Sequence, residues 1–472
     1  MNTTGAMEYR GKRVTIIGLG REGTALARFL VGMGAEVTIT DVKEKNQLQD
    51  AVDGLSSLPI SFLLGGHPEE ALQADIIFVS PGVPREIPFL QEARSRGVPL
   101  SSETRLFFSL CPAPIIGITG SSGKTTTTSL VGKIMEAQGC RTFVGGNIGS
   151  PLLDLVEQIQ PEDSVVMELS SFQLEVLEQS PHVAAVLNLS PNHLDRHESM
   201  EHYVAAKRNI LRFQTRSDYA VLNADQQLTR ELGDVYLGKV VLFSREHEVA
   251  QGVYLDADRV VMRWRGERSV VCPMSEIRLL GIHNVENVLA ACAISAAAGA
   301  RSEAMREAVR NFQGVEHRLE LAGEISGVRY FDDSIATSPQ RTAAALNSFS
   351  DPVILLAGGR EKHLPLDALA RLILAKVKVL VLFGEAAPLL EQAVTEAQDK
   401  NACEGLRIYR SSDLSEAVHK AAQVAVEGDI VLLSPACTSY DMYRDFAARG
   451  DHFKSLVSAL SDSREHKVAS KR

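Results

Sequence analysis

The chain has 472 residues, which corresponds to about three domains of ordinary size. Apolar residues make up 45% and charged residues 23% of the sequence, as in soluble globular proteins rather than disordered chains. The net charge of −10 gives no support to nucleic-acid binding, and no segment reaches the ~20 apolar residues that span a bilayer. Six scattered cysteines without a Cys-x-x-Cys pair argue against a zinc site and a disulfide framework. We therefore expect a cytoplasmic protein that binds neither nucleic acid nor, stably, a membrane. We also expect a monomer.

Short apolar runs rich in Val and Ile alternate with helical patterns, which predicts α/β domains on largely parallel sheets. An amphipathic helix is predicted at 24–33 and a buried helix at 284–298, and the stretch 235–271 predicts extra strands in a meander. The predicted strands that are followed by a loop and a helix lie at 13–17, 36–40, 75–80, 115–119, 329–333, 352–357, 377–383 and 429–434. Boundaries near residues 102 and 314 then give three domains, 1–102, 103–314 and 315–472.

A glycine-rich loop, Gly18-x-Gly20-x-x-Gly23, lies between the first strand and the first helix, and Asp41 ends the next strand. This arrangement matches the dinucleotide-binding fingerprint, in which glycines let the backbone approach a diphosphate at a helix N-terminus. By itself the motif favours a nicotinamide cofactor. A UDP diphosphate would use the same features, and a tight strand–helix turn without a ligand is the third interpretation.

A second glycine-rich loop, 120–125, follows the strand at 115–119 and begins a helix. It departs from the strict phosphate-loop pattern because Ile118 stands where that pattern has its first glycine. The essential parts remain: backbone N–H groups for phosphates, Lys124 for the terminal phosphates, and the Thr125 hydroxyl for Mg²⁺. A lysine at the exit of a buried strand requires an anion. This loop therefore predicts an ATP-type site.

Polar residues are dense in three later segments, 145–149, 168–173 and 188–197, and the last two follow apolar runs. Ligands of open α/β sheets bind at the carboxyl ends of strands, so we expect these segments to face the second glycine loop. Glu168 and His193 are candidate Mg²⁺ ligands or phosphate contacts, although Mg²⁺ prefers oxygen ligands. By periodicity alone, Lys207 is an exposed lysine on a predicted helix at 200–212.

In the third block, a His-Arg-x-Glu motif at 317–320 precedes a strand that ends in Asp332 and Asp333. The segment 434–439 ends the last strand and leads into a helical stretch. These residues could line a cleft that faces the ATP site. Cys437 invites interpretation as a nucleophile, but no suitably placed base is evident, so a small packing residue is the better interpretation.

In combination, eight segments resemble the Mur ligases, and the resemblance covers residues of about 11 to 460. Two of these segments, ELSSFQLE and the last one, are most similar to the family member that adds D-glutamate to UDP-N-acetylmuramoyl-L-alanine. The segments are GITGSSGKTTT, GGNIG, ELSSFQLE, LNLSPNHLDRH with the following YVAAK, GIHNVENVLAA, EHRLE, DDSIATSP and LSPACTSYDMYRDFAARGDHF.

The resemblance implies a Rossmann-like UDP-binding domain, a central ATPase domain with a parallel sheet and extra strands, and a Rossmann-like domain that binds the amino acid. It implies a bacterial, cytoplasmic ligase that uses ATP and two Mg²⁺ ions, with Lys207 carbamylated so that it can act as a carboxylate ligand. Lys124, His193 and Lys207 would be catalytic, and Thr125, Glu168, His193 and Lys207 would serve the metal. ATP would contact Ser121, Ser122, Gly123, Lys124, Thr125, Thr126, Thr127, Asn284, Asn287, Arg318 and Asp333. The other substrates would contact Gly18, Leu19, Gly20, Arg21, Gly23, Asp41, Ser80, Gly82, Asn147, Thr337, Lys362, Ser439, Tyr440 and Phe446.

Two residues depart from the family pattern. Ser122 stands where the loop usually has Asn, and Ile335 stands where DSKAT-like members have a Lys. The second departure puts one basic contact in doubt. Three other functions stay open from the sequence: another Mur or folylpolyglutamate-type amide ligase, an NAD-dependent oxidoreductase that uses the first glycine loop, and a nucleotide-regulated binding protein.

Overall fold

The computed structural model describes residues 9–190, 199–233, 238–279, 281–362, 364–401 and 406–469. The chain divides into two compact units, residues 1–312 and 313–472. The first unit contains two β-sheets and the second contains one. The three sheets are mostly parallel, as the alternation of strands and helices predicts.

The first sheet is fully parallel, with the strand order β3-β2-β1-β4-β5. After its first residue, β1 is buried throughout, because a parallel sheet is covered on both faces. The strand order reverses at β1 and β4, so a crevice opens beyond the carboxyl ends of these two strands. The strands are β1 (Arg13–Ile17), β2 (Glu36–Asp41), β3 (Ile60–Leu64), β4 (Ile76–Val79) and β5 (Leu100–Ser101).

The second sheet has nine strands in the order β14-β13-β12-β11-β10-β9-β6-β8-β7. It is parallel from β7 to β12, and its last three strands form an antiparallel meander. The stretch 235–271 therefore contains extra strands, as predicted, but its first strand, β11, pairs in parallel with both neighbours. Strand β6 lies between β8 and β9, so the loop after β6 lies at a switch point. The strands are β6 (Ile115–Thr119), β7 (Thr142–Gly146), β8 (Ser164–Glu168), β9 (Val183–Val186), β10 (Tyr219–Asn223), β11 (Lys239–Ser244), β12 (Gly252–Asp256), β13 (Arg259–Trp264) and β14 (Glu267–Pro273).

One continuous apolar core joins the two sheets of the first unit. It runs from Leu26, in the helix after β1, and Phe78, on the first sheet, through Phe107 to Met167 on the second sheet, and all four side chains are nearly inaccessible to solvent. Burying a side chain the size of Phe107 stabilises the fold by about 2–3 kcal/mol. The helices of this unit are α1 (Arg21–Gly32), α2 (Gln49–Asp53), α3 (Pro88–Ser95), α4 (Glu103–Leu110), α5 (Lys124–Ala137), α6 (Ser171–Leu174), α7 (Met200–Arg208), α8 (Gln227–Gly233), α9 (Ile282–Ala297) and α10 (Ser302–Asn311).

The second unit is built on a six-stranded sheet in the order β15-β16-β20-β17-β18-β19, in which only the β15–β16 pair is antiparallel. Apolar clusters cover both of its faces. Among the helices that the structure describes, none combines the length and apolar character needed to cross a membrane. The elements are β15 (Glu320–Ile325), β16 (Val328–Asp332), α11 (Pro339–Asn347), β17 (Val353–Gly358), α12 (Asp367–Lys376), β18 (Val377–Phe383), α13 (Ala387–Asn401), β19 (Arg407–Arg410), α14 (Leu414–Val424), β20 (Ile430–Ala436) and α15 (Phe446–Ala469).

Candidate functional site

The first glycine loop turns sharply from β1 into α1. Gly18 has a φ of +94°, which a residue with a side chain rarely adopts. A Cβ on Gly23 would lie 2.1 Å from the Gly18 carbonyl oxygen, so glycine is required there by close packing of the loop. Around Gly20, in contrast, the space is open. Two glycines therefore build the turn, and Gly20 leaves room for a ligand at the N-terminus of α1.

Two strand ends hold this loop in place. The Asp41 carboxylate accepts a hydrogen bond from the backbone N–H of Leu19 at 2.8 Å. The Ser80 hydroxyl donates to the Gly18 carbonyl at 3.1 Å, and the exposed Gly82 follows on the same loop after β4. Arg21 donates to the carbonyl of Gly149, 128 residues further along the chain, at 2.7 Å. The substrate residues predicted in the first 102 residues are therefore gathered at one crevice.

The second glycine loop wraps between β6 and α5. Gly123 has a φ of +78°, and a Cβ at this position would lie 2.2 Å from the side-chain oxygen of Asn287. The Ser122 N–H donates to the side chain of Asn188 at 2.8 Å. Ser121 exchanges hydrogen bonds with the backbone of Ser190 at 2.9 and 3.0 Å. Contacts with distant segments thus hold the loop open at the start of α5.

The Glu168 carboxylate is the centre of the site next to this loop. Glu168 ends β8 and is 2% exposed. One of its oxygens accepts from the Thr125 hydroxyl at 2.8 Å, and the other accepts from the Asn147 amide at 2.7 Å. Three predicted residues from three segments therefore meet at one carboxylate, as expected for the carboxyl ends of neighbouring parallel strands.

Lys207 lies beside this centre and is 2% exposed, so its interpretation as an exposed helix lysine is wrong. Its Nζ donates to the Gly120 carbonyl at 2.9 Å and to the Thr119 hydroxyl at 3.1 Å. It also lies 4.8 Å from the ring centroid of Tyr203, one helical turn earlier on α7. Periodicity places Lys207 on a face of α7 but does not reveal that β6 and its loop cover that face.

The two lysines of the site share one acceptor, because Lys124 Nζ also donates to the Gly120 carbonyl, at 3.0 Å. Burial lowers the pKa of Lys207 to about 6, the Lys124 charge acts in the same direction, and Glu168 opposes it. The Lys207 amine is therefore largely neutral at pH 7. A neutral amine can take up CO₂, whereas an ammonium cannot.

Side chains that carry oxygen atoms able to bind a metal dominate this region: the carboxylate of Glu168, the hydroxyl of Thr125 and the amide of Asn147. Such donors fit Mg²⁺, which prefers oxygen ligands. His193 lies outside the described residues. Thr126 and Thr127 are buried in the first turn of α5, and Thr127 reaches Asn287, which is itself hydrogen-bonded to Asn284 at 2.9 Å.

A carboxyl pair, the half-buried Glu22 and the buried Glu103, lies where α1 and α4 meet. Glu22 accepts from the Gln173 amide at 2.9 Å, and its other carboxylate oxygen is buried without a hydrogen bond. Glu103 is 4% exposed. Burial raises the pKa of Glu22 to about 7 and that of Glu103 to about 8, and the Glu22 charge adds to the second shift. Asp154 also raises the pKa of Glu103, and Arg21 lowers that of Glu22.

In the second unit, two acidic residues end β16 at the carboxyl edge of the sheet. Asp333 accepts from the Ser434 hydroxyl at 2.8 Å, and burial raises its pKa to about 7 although the charge of the half-buried Arg318 lowers it. Asp332 contacts His317 at 2.7 Å. Burial lowers the pKa of His317, but the carboxylate outweighs it and the net shift is upward.

The amino-acid-binding residues predicted in this unit lie along the same edge. Lys362 Nζ donates to the Thr337 hydroxyl at 3.1 Å. Ser439 is buried, Tyr440 is largely exposed, and the Phe446 carbonyl accepts from the Ser334 hydroxyl. The predicted residues of the second unit are therefore gathered at one sheet edge. Cys437 is buried and burial raises its pKa to about 12, so it is a packing residue, as the sequence indicates.

Sequence reasoning assigned no role to two side chains that organise these edges. Arg449 is 1% exposed and donates to the carbonyls of Ser334, Cys437 and Thr438 at 2.9–3.3 Å, so it holds together the loops after β16 and β20. Tyr203 contacts Ser121 at 3.0 Å. The spacing of Tyr203 and Lys207, four residues apart on one helix, could have indicated a shared face. No comparable signal points to Arg449.

Three family models match consecutive parts of the chain. Residues 12–102 match the Mur ligase MurD-like, N-terminal domain, residues 118–295 match the Mur ligase middle domain, and residues 317–437 match the Mur ligase, glutamate ligase domain.

The chain is also similar over nearly its whole length to curated proteins named UDP-N-acetylmuramoylalanine–D-glutamate ligase. It is 46% identical to the one from Symbiobacterium thermophilum, with 95% of this chain and 98% of the relative covered. It is 43% identical to the one from Acetivibrio thermocellus, with 96% and 97% covered. Among solved structures, UDP-N-acetylmuramate-alanine ligase from Thermotoga maritima has the same fold, with a TM-score of 0.58, 20% identity, and 95% of this chain and 100% of that chain covered.

Proposed function

Because the chain belongs to the Mur ligase family, we propose that it is the ATP-dependent ligase that joins D-glutamate to UDP-N-acetylmuramoyl-L-alanine in peptidoglycan precursor synthesis. The observation that carries this proposal is the Glu168 centre. Thr125 and Asn147 bind its buried carboxylate, and Lys124 and Lys207 both donate to the Gly120 carbonyl of the adjacent glycine loop. Such a centre suits phosphoryl transfer. An NAD-dependent oxidoreductase would leave it without a role.

In this proposal, the crevice of the first sheet binds the uridine diphosphate part of the substrate. The free N–H groups at the start of α1 face the diphosphate, and the open space at Gly20 lets it approach the backbone. Asp41 is engaged with the N–H of Leu19 and keeps the loop in its binding conformation. Ser80, Gly82, Arg21 and Asn147 complete the contacts around the crevice.

The second glycine loop binds ATP. The backbone of Ser121, Ser122 and Gly123 receives the phosphates at the N-terminus of α5, and Lys124 offsets the charge of the transferred phosphoryl group. Thr126, Thr127, Asn284, Asn287, Arg318 and Asp333 are the further ATP contacts of the proposal.

Thr125, Glu168, His193 and a carbamylated Lys207 would hold two Mg²⁺ ions. Bound Mg²⁺ supplies charge neutralisation for the phosphoryl group as it is transferred. The neutral amine of Lys207 supports carbamylation, because only the unprotonated nitrogen attacks CO₂. The product is an anion, which attracts the Lys124 ammonium that contacts the same Gly120 carbonyl.

The reaction has two steps. First, a carboxylate oxygen of the L-alanyl residue attacks the γ-phosphorus of ATP, which gives an acyl phosphate and releases ADP. Second, the amine of D-glutamate attacks the acyl carbon, and the tetrahedral intermediate expels inorganic phosphate as the amide forms and the nitrogen loses its proton. Thr337, Lys362, Ser439, Tyr440 and Phe446 receive D-glutamate. Exclusion of water at this stage protects the acyl phosphate from hydrolysis.

The deciding experiment measures phosphate release from ATP with UDP-N-acetylmuramoyl-L-alanine, with and without D-glutamate. We expect release to depend on D-glutamate and to be negligible with L-glutamate. Dependence on another amino acid would identify a different ligase of the family, and no stimulation by any acceptor would indicate a nucleotide-regulated binding protein. Light scattering and cell fractionation test the remaining parts of the proposal, a monomer in the bacterial cytoplasm.

A further inference from the structure

Two cationic side chains lie together at the carboxyl edge of the sheet in the second unit. Arg341 Nη1 donates to the carbonyl of Ile335 at 3.0 Å. Lys362 Nζ donates to the hydroxyl of Thr337 at 3.1 Å. Ile335 and Thr337 are two residues apart on the loop after β16, so both cations contact the same short segment.

Neither cation has an acidic partner among the residues that the structure describes. Within the part of the chain that the structure describes, no carboxylate lies within ion-pair distance of Arg341 or Lys362. Arg360, in contrast, is bound to Glu385 by two hydrogen bonds of 2.9 and 3.0 Å. Burial and the Arg341 charge lower the pKa of Lys362, although Cys437 raises it. Two like charges held near one another are costly unless an anion is bound between them.

The position of Arg341 on its helix adds to the positive potential. Arg341 is the third residue of α11, whose first turn contains no acidic residue and whose N-cap, Ser338, makes no side-chain capping hydrogen bond. First turns of helices favour carboxylates, so an arginine there strengthens the positive end of the helix dipole. The Arg341 side chain is exposed and can therefore be reached by a ligand.

We propose that Arg341 and Lys362 form a dicarboxylate subsite in which Arg341 is a specificity-determining residue for D-glutamate. This inference rests on the proposed function, which makes D-glutamate the ligand of this edge. D-Glutamate carries two carboxylates, and the guanidinium can bind one of them through two parallel hydrogen bonds. Arg341 contacts the backbone of Ile335, so it places a cation beside the loop that Lys362 also contacts.

The first test replaces Arg341 by methionine, which keeps the length of the side chain and removes the charge. Losing one charge-assisted contact should raise the KM for D-glutamate about 10- to 100-fold. The KM values for ATP and for UDP-N-acetylmuramoyl-L-alanine should change less than about twofold, because neither substrate contacts the subsite. The control is Arg360→Met, since Arg360 is already paired with Glu385. The KM of this variant for D-glutamate should stay within about threefold of the wild-type value.

The second test uses analogues in which one carboxylate is an amide, D-glutamine and D-isoglutamine. For the analogue that lacks the carboxylate bound by Arg341, wild type and Arg341→Met should have the same kcat/KM. For the other analogue, the difference between the two proteins should persist. Arg341→Lys, which keeps a charge without the planar fork, should give an intermediate KM for D-glutamate.

An unchanged KM for D-glutamate in Arg341→Met would overturn the inference. Equal losses with both amide analogues, or an equal rise in the KM for the UDP-linked substrate, would also overturn it, since either result indicates a general structural effect. The proposed function is contradicted by a different result, which is that the wild-type protein does not use D-glutamate. Thermal unfolding of each variant shows that the protein is folded in every assay.

Discussion

The two glycine loops of the first unit share the same backbone arrangement but differ in the charged residues around them. Each follows a buried strand and begins a helix, and each contains a glycine in the left-handed region. The first loop is held by backbone contacts and the Asp41 carboxylate, whereas the second is surrounded by Lys124, Lys207 and the Glu168 centre. A diphosphate that is only bound needs N–H groups, but a phosphoryl group that is transferred needs preorganised positive charge where negative charge develops. Under the proposed function, the first loop is therefore a binding site and the second a reaction site.

The largest expected effect is at Lys207, whose burial distinguishes the second loop most clearly. If Lys207 acts as a carbamate, Lys207→Ala should lower ligation by about 1,000-fold or more, because a metal ligand is lost. Added acetate or propionate should partly restore activity, and Lys207→Arg should not be restored because the guanidinium stays charged and fills the space. Steady-state rates with and without the added carboxylate check this. A fully active Lys207→Ala protein would contradict the carbamate role.

Lys124 tests whether the second loop acts mainly in the transition state. Lys124→Ala should lower kcat by about 100- to 1,000-fold, because charge stabilisation of the transferred phosphoryl group is lost. Binding of the UDP-linked substrate, measured by calorimetry, should be unchanged because that site belongs to the first loop. Lys133→Ala is a matched control, since Lys133 lies on the same helix in an exposed ion pair with Glu136. Near-wild-type turnover would exclude the phosphate-loop assignment.

Gly20 and Gly23 separate ligand binding from folding within the first loop. Gly20 has an extended backbone and open surroundings, so Gly20→Asp should fold normally and weaken UDP-substrate binding about 10- to 100-fold through charge repulsion. Gly23→Ala should instead destabilise the protein by about 2 kcal/mol, because its Cβ would overlap the Gly18 carbonyl. Calorimetry and denaturant unfolding measure the two effects. Micromolar binding of NAD to the wild-type protein would overturn the choice of UDP.

The smallest expected effect concerns the carboxyl pair of Glu22 on α1 and Glu103 on α4. Their folded-state pKa values, about 7 and about 8, lie above the ordinary value of 4.5. The folded protein therefore keeps protons that the unfolded chain has released, and the free energy of unfolding falls as the pH rises from 4.5 to about 8. We expect a loss on the order of 2 kcal/mol over this range.

The Glu22→Gln and Glu103→Gln variants should each reduce that loss, because an amide has no proton to release. Urea unfolding at pH 5, 6.5 and 8 provides the measurement. Glu70→Gln is the control, since Glu70 is exposed and its replacement should leave the pH dependence as in wild type. A double variant with an unchanged pH dependence would show that the buried pair does not cause it.

Local sequence patterns predicted most secondary-structure elements and the polar residues that lie beside the two glycine loops. The predicted strands at 13–17 and 115–119 have the bounds that the structure shows, and the predicted meander and the long buried helix are confirmed. These features depend on residues close in the chain: runs of β-branched residues, glycines between strand and helix, and polar residues after apolar runs. Because parallel strands end at one edge of a sheet, this local pattern also predicted that Glu168 would face the second loop.

The pKa values of the site residues, and the charged groups that surround them, could not be predicted from the sequence. Both depend on segments that are far apart in the chain and meet only in the folded protein. Lys207 is buried by a loop 87 residues away, which no periodicity reveals. Glu22 accepts a hydrogen bond from Gln173, 151 residues away, and burial at this place raises its pKa to about 7 although the hydrogen bond lowers it. In the sequence, Arg341 has no feature that distinguishes it from a surface arginine. Only the fold brings Lys362 to the same loop, where neither cation has a carboxylate partner among the described residues. Desolvation and Coulomb interaction depend on distance in space, and chain folding alone sets that distance.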